Sequence, residues 1–226
     1  MAMLRVERRE DGVAIVWLDH PEKSVNTLSP ELVREFEATA LPLLDDPAVR
    51  AIVVASAKPD TFIAGADLEV IEGLTAAEIS GMSRDGNALL ERIATHKRPV
   101  VAAVHGAALG GGLEVALACH YILASDDPAT VLGQPEVQLG LLPAGGATQR
   151  LVERVGVTGA LPLLLTGQRV RARKARRLGI VDAVTTPGGV VETACRAALA
   201  LADGSLRRAP KKLSLLDRAA RHVPLR

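Results

Sequence analysis

Aromatic side chains make up only 2% of this 226-residue chain, so the core must be filled by Ala, Val, Leu and Ile rather than by stacked rings. Cysteine is nearly absent. Cys119 and Cys195 lie far apart in apolar stretches, which excludes a disulfide framework and leaves each as a small buried hydrophobe in an expected reducing, cytoplasmic setting. Neither they nor the five histidines show metal-ligand spacing, so no metal is expected. Charge of one sign is not in excess. A formal charge of +1 gives no field that argues for nucleic acid or an acidic partner. Long apolar runs are missing as well: the longest uncharged segment, residues 99–113, is shorter than a bilayer span and broken by His105 and four glycines. The first residues carry no apolar secretory core. There is no Gly-x-Ser-x-Gly elbow and no phosphate-binding Gly-x-x-x-x-Gly-Lys loop.

Strands and helices alternate in what remains. Residues 4–8 and 13–18 are rich in β-branched side chains and flank a turn at Glu10-Asp-Gly12; the apolar runs 51–55, 100–104 and 121–124 suit strands of a sheet covered on both faces. Ser29-Pro30 predicts an N-cap and the first position of a helix reaching about Leu44, and Thr75-Ala-Ala-Glu78 a capping box opening another. A short strand at 182–185 and a helix at 190–202 follow. The cluster Arg169-Val-Arg-Ala-Arg-Lys-Ala-Arg-Arg177 reads as the solvated face of a short helix. The pattern predicts one α/β domain over residues 1–203, with residues 204–226 a basic linker or truncated connection.

Two glutamates stand out. Glu114 follows Gly110-Gly-Gly112, a turn between strand and helix that exposes backbone N–H groups at the positive end of a helix. The helix beyond it is apolar all round and therefore buried, where a carboxylate must be hydrogen-bonded or shifted in pKa. Glu136 follows Gly133-Gln-Pro135 in a segment read as extended to Gly140, and a second glycine turn comes after it, Pro143-Ala-Gly-Gly-Ala-Thr148. Singly, each has a bland reading: tight packing for the glycines, a dipole partner for Glu114, a solvated side chain for Glu136. Converging on one pocket, they make a general acid/base pair beside N–H donors for a developing negative charge. The loop Ala64-Gly65-Ala66 offers further backbone donors. A dinucleotide fingerprint is the rival, but residues 106–112 do not spell Gly-x-Gly-x-x-Gly and Glu114 would face the pyrophosphate.

In order, Phe62-Ile-Ala-Gly-Ala-Asp67, Ala102-Ala-Val-His-Gly106, Leu109-Gly-Gly-Gly-Leu-Glu114, Gly133-Gln-Pro-Glu136 and Gly140-Leu-Leu-Pro143 through Thr148-Gln-Arg150 resemble the signature blocks of the crotonase (enoyl-CoA hydratase/isomerase) superfamily. The wording around Ala116-Leu-Ala-Cys-His-Tyr121 is most similar to hydratase domains of multifunctional fatty-acid oxidation α subunits. The resemblance implies a ββα spiral with a helical C-terminal part and hydration of a trans-2-enoyl-CoA. It implies an oxyanion hole from the N–H groups of Ala66 and Gly111, catalysis by Glu114 and Glu136, and substrate contacts at Ala64, Gly65 and Ala144. Acyl-CoA is then the substrate and no cofactor is needed. A homo-oligomer, or a dehydrogenase domain and a thiolase subunit, would be the partners. Isomerisation of the double bond and a non-catalytic acyl-CoA-binding role are the alternatives. Ala144 and Ala147 depart from the family's glycines in that turn.

Overall fold

A computed structural model describes residues 2–209 and Asp217. The chain opens with β1 (Leu4–Arg8) and β2 (Val13–Leu18), an antiparallel hairpin in which Leu4 faces Leu18. Ser29 then caps α1 (Pro30–Thr39), its side chain accepting from Leu32 N–H. The helix stops earlier than the sequence pattern predicts, because Pro42 has no N–H to give; residues 41–44 form a separate 3-10 turn. β3 (Ala51–Ser56), β4 (Thr61–Ile63) and a short α2 (Leu68–Glu72) follow, then α3 (Ala76–Thr95), with the Thr75–Glu78 capping box formed.

Next come β5 (Val100–Val104), β6 (Ala107–Leu109), α4 (Gly111–Ala118), β7 (Tyr121–Ser125) and β8 (Val131–Gly133). Beyond them run α5 (Ala147–Val155), α6 (Val157–Thr166), β9 (Arg169–Arg171), α7 (Ala172–Leu178), β10 (Ala183–Thr185) and α8 (Val190–Ala202). Six strands make one sheet in the order β1-β2-β3-β5-β7-β10, parallel except for the first pair. The other four make a second, smaller sheet, β4-β6-β8-β9.

The period-2 geometry of a strand explains the continuous apolar runs. Ile15, Val53, Val101, Ala103 and Leu123 point to one face of the large sheet, where α8 covers them with Val190, Ala194, Cys195 and Ala198. Val16, Val54, Ala102, Val104 and Ile122 point to the other, into a core shared with the small sheet and the remaining helices. Both cysteines are buried free thiols; burial pushes Cys119 up to about 12 and Cys195 up to about 11, so neither forms a thiolate at neutral pH.

The small sheet has no counterpart in the sequence reading. Its strands are three residues each, too short for an alternating pattern to register. One of them, β9, takes up the first three residues of the basic cluster: Val170 is buried against β8, and only from Ala172 does the cluster become a helix with a solvated face. Of the tail, Leu206 packs beside α8 and the buried Asp217 carboxylate accepts from the N–H and hydroxyl of Thr158 at the start of α6. Residues 210–216 and 218–226 of the expected linker lie outside the described residues.

Candidate active site

The glycine run between β6 and α4 divides its work. A Cβ on Gly112 would stand 2.2 Å from the carbonyl oxygen of Ile63, so this glycine lets α4 press against β4. Gly110 sits at a φ of 50°, and a Cβ there would meet Glu136 Oε1 at 2.6 Å. Gly111, between them, keeps a free N–H as the first residue of the helix: among the described residues it donates to no protein acceptor.

A second free amide lies beside it. Ala66 is the centre of an isolated parallel bridge to Leu28, and such a bridge uses the neighbouring groups, Leu28 N–H to Gly65 C=O and Asp67 N–H to Leu28 C=O. Ala66's own N–H is left without a protein acceptor among the described residues. It lies close to Gly111, 3.9 Å from where a Gly111 Cβ would be. Ala64 and Gly65 also line the cavity, yet their backbones are partly committed, Ala64 N–H to Asn26 C=O and Gly65 C=O to Leu28 N–H. They shape the site more than they donate to it.

Glu114, one helical turn after Gly110, is 4% exposed. Its Oε1 accepts from Gly145 N–H at 2.8 Å and Ala147 N–H at 2.9 Å, while no described donor reaches Oε2. Burial raises its pKa; the two amides, and Arg150 nearby, act in the opposite sense. The alanine at 147 thus still supplies the amide that the turn needs. Ala144 sits at the rim, its carbonyl accepting from Ser83 Oγ and Asn87 Nδ2.

Glu136 is not on an extended segment, as the sequence pattern predicts, but in the first turn of a 3-10 helix, Pro135–Leu139. Pro135 pre-sets the φ of that turn, and Gly140 in the left-handed region ends it. The carboxyl is half-buried and its pKa is pushed up to about 7, by desolvation first and then by the charge of Glu114. Sequence reasoning passes over its neighbour Gln134, which is fully buried. With the Gln134 amide nitrogen turned toward Glu136, it lies 3.0 Å from both carboxylate oxygens. The opposite orientation, amide oxygen inward, suits the protonated acid; a buried amide two residues from a candidate acid is the available signal.

Both glutamates, both free amides, Ala64, Gly65 and Ala144 line one cavity of about 320 Å³. A larger depression of about 790 Å³, lined by Arg150, Arg154 and His120, holds neither glutamate. The 320 Å³ cavity is therefore the candidate site. It combines a tethered carboxyl with one open oxygen, a second carboxyl that holds its proton to near-neutral pH, and two neighbouring backbone N–H groups without a protein acceptor among the described residues.

Comparison with known proteins bears on this geometry. The family described as "Enoyl-CoA hydratase/isomerase" matches residues 8–222. The chain is 44% identical over 207 residues to a protein of Shewanella putrefaciens (strain CN-32) named fatty acid oxidation complex subunit alpha, covering 91% of this chain and 29% of that protein. A protein of the same name from Shewanella sp. (strain ANA-3) is also 44% identical, over 93% of this chain and 29% of its own length. The chain thus spans under a third of these relatives. Among solved structures, an enoyl-CoA hydratase from Bacillus anthracis superposes with a TM-score of 0.83 at 30% identity, over 89% of this chain and 77% of that one. Pseudomonas aeruginosa DspI gives 0.83 at 32% identity, over 90% and 81%. These similarities bear out the crotonase-type fold. No helix among the described residues is long and apolar enough to cross a membrane.

Proposed function

The chain belongs to the enoyl-CoA hydratase/isomerase family, and from that premise we propose that it adds water across the double bond of a trans-2-enoyl-CoA, giving the 3-hydroxyacyl-CoA of fatty-acid β-oxidation. The observation that carries this reading is that two carboxyl groups, one anchored by the Gly145 and Ala147 amides and one desolvated beside its charge, share one cavity with two unpaired amides.

In this reading the thioester oxygen lies between the N–H groups of Ala66 and Gly111. Glu114 Oε2 takes a proton from water as its oxygen bonds to the β carbon; the π electrons move toward the thioester oxygen, and Glu136 delivers its proton to the α carbon. One water is consumed, its oxygen ending on the β carbon, and the two glutamates exchange protonation states before solvent resets them. Each amide is worth about 3 to 4 kcal/mol, because the charge it meets exists only on the way to product. Hydration moves no electrons to or from an acceptor, so the reaction itself calls for no redox cofactor. A protein that only bound acyl-CoA could anchor the 145–147 turn with a neutral amide in place of Glu114, and would have no use for a second desolvated carboxyl at Glu136.

Residues 1–203 are the hydratase domain in this reading, and 204–226 a basic connection. The relatives' naming as subunits of a complex supports assembly with further subunits, for which a dehydrogenase domain and a thiolase subunit are the proposed partners.

The pH profile tests the assignment. Hydration needs Glu136 protonated and Glu114 ionised, so kcat/KM for hydration is expected to fall as pH rises through about 7, with a second fall on the acid side as Glu114 takes up its proton. The overall reaction takes up no net proton, so the ratio of forward to reverse kcat/KM does not change with pH, and the reverse dehydration should follow the same two-limbed profile. The two limbs belong to the pair rather than to isolated groups. A hydration rate that stays level from neutral pH to about two units above it counts against the roles given.

A further inference from the structure

The cavity does not end at the glutamates. It continues between α1 and α3, where Leu32 and Phe36 on one helix face Leu90 and Ile93 on the other. On α3 the positions that line it are Ile79, Met82, Ser83, Gly86, Leu89, Leu90 and Ile93, and all but two carry a long apolar side chain. Ser83 is tied by its hydroxyl to the Ala144 carbonyl at the rim, which leaves Gly86 as the gap in the apolar wall.

Nothing in the packing of the protein asks for glycine there. Gly86 lies inside a 20-residue helix, its φ is not positive, and a Cβ built on it meets no atom within 4 Å. A glycine in mid-helix lowers stability relative to alanine. Usually a close contact explains such a residue, as the Ile63 carbonyl explains Gly112. Here the missing side chain leaves open space on the wall of the reaction cavity. Gly81, on the same helix, also has room for a Cβ but does not line that cavity.

We propose that the gap at Gly86 admits the acyl tail of the substrate into the channel between α1 and α3, and that this residue sets which chain lengths the protein accepts. The inference rests on the acyl-thioester reading of the site and goes beyond it in naming the substrate class: acyl groups longer than butanoyl, with the tail buried against Leu32, Phe36, Leu90 and Ile93. The apolar lining leaves a polar or charged tail without partners.

Calorimetric titration with saturated butanoyl-, octanoyl- and dodecanoyl-CoA, which cannot be hydrated, reads binding without chemistry. For the wild-type chain, affinity should rise about tenfold or more from the shortest to the longest ligand, as methylenes leave water. Gly86→Leu should bind butanoyl-CoA within about twofold of wild type and lose about tenfold or more of the long-chain advantage. Gly86→Ala, a milder obstruction that keeps the protein folded, should lose severalfold of that advantage while its Tm rises by about 2 to 4 °C. Gly81→Ala should gain the same Tm and leave the chain-length profile unchanged. Equal chain-length ratios in the wild-type and Gly86 variants, or a wild type indifferent to length, would overturn the proposal. Crotonyl-CoA hydration measured in parallel separates the two questions: length-dependent binding without hydration removes the catalytic assignment and leaves the channel standing.

Discussion

Glutamine in place of Glu136 is expected to slow hydration by about a thousandfold while raising the melting temperature above neutral pH. The rate falls because an amide has no proton to deliver to the α carbon, and a positioned general acid contributes on the order of 10²- to 10⁴-fold. The stability change follows from the same burial. Desolvation and Glu114 lift the folded-state pKa of Glu136 from 4.5 to about 7. The folded protein therefore holds this proton more tightly than the unfolded chain does. Its contribution to stability is complete below the unfolded value and is lost as pH rises through about 7. An amide in the same place does not titrate and carries no such loss, so the Tm difference in favour of Glu136→Gln should be open at about pH 8 and closed at about pH 4. Thermal denaturation at both pH values, beside a crotonyl-CoA assay, reads the two effects. Activity within a few-fold of wild type removes Glu136 from its role.

Substitutions at Glu114 should divide two reactions that Glu136 variants abolish together. Glu114→Gln leaves an amide oxygen to accept from Gly145 and Ala147, so the turn between Pro143 and α5 keeps its anchor, but nothing remains to take the proton from water. Hydration is expected to fall by about 10²- to 10⁴-fold. Moving a double bond from the 3 to the 2 position of an acyl-CoA requires only one base at the α carbon, and in the proposed mechanism that base is Glu136. The slower isomerisation should therefore survive in Glu114→Gln and vanish in Glu136→Gln. Glu114→Ala is a harsher change. It strips the acceptor from two amides, one of them buried, at about 1 to 3 kcal/mol for each left unsatisfied. A spectrophotometric assay of 2-enoyl and 3-enoyl substrates with each variant decides the point. Equal loss of both reactions in Glu114→Gln would mean that Glu114 builds the site rather than acting in it.

How much of this is legible in the sequence depends on length scale. Strands β2 and β5 and helix α8 are readable to the residue, because each carries a continuous or periodic apolar pattern that a two-faced sheet or a covering helix demands. The Thr75 capping box is equally plain, since its two side chains lie three residues apart. The second sheet is not legible. Its strands borrow their pairing partners from distant segments, such as Thr61 with Ala107 and Val131 with Arg171, and local sequence does not encode those partners. The two cavity glutamates stand out through their glycine-rich surroundings, yet the geometry around them is only half visible. That Glu114 is held by the turn from 145 to 147 is a contact across more than thirty positions. Gln134 escapes notice because a buried amide looks like any polar residue until its partner is known, and Gly86 because a glycine in a helical pattern reads as mere tolerance.

The central claim is a matter of position, and a crystal structure with bound butanoyl-CoA tests it directly. The account predicts the thioester oxygen about 3 Å from both the Ala66 and Gly111 nitrogens, the α carbon facing Glu136 and the β carbon facing Glu114 Oε2. A thioester lodged instead among Arg150, Arg154 and His120, or out of reach of either amide, would contradict it.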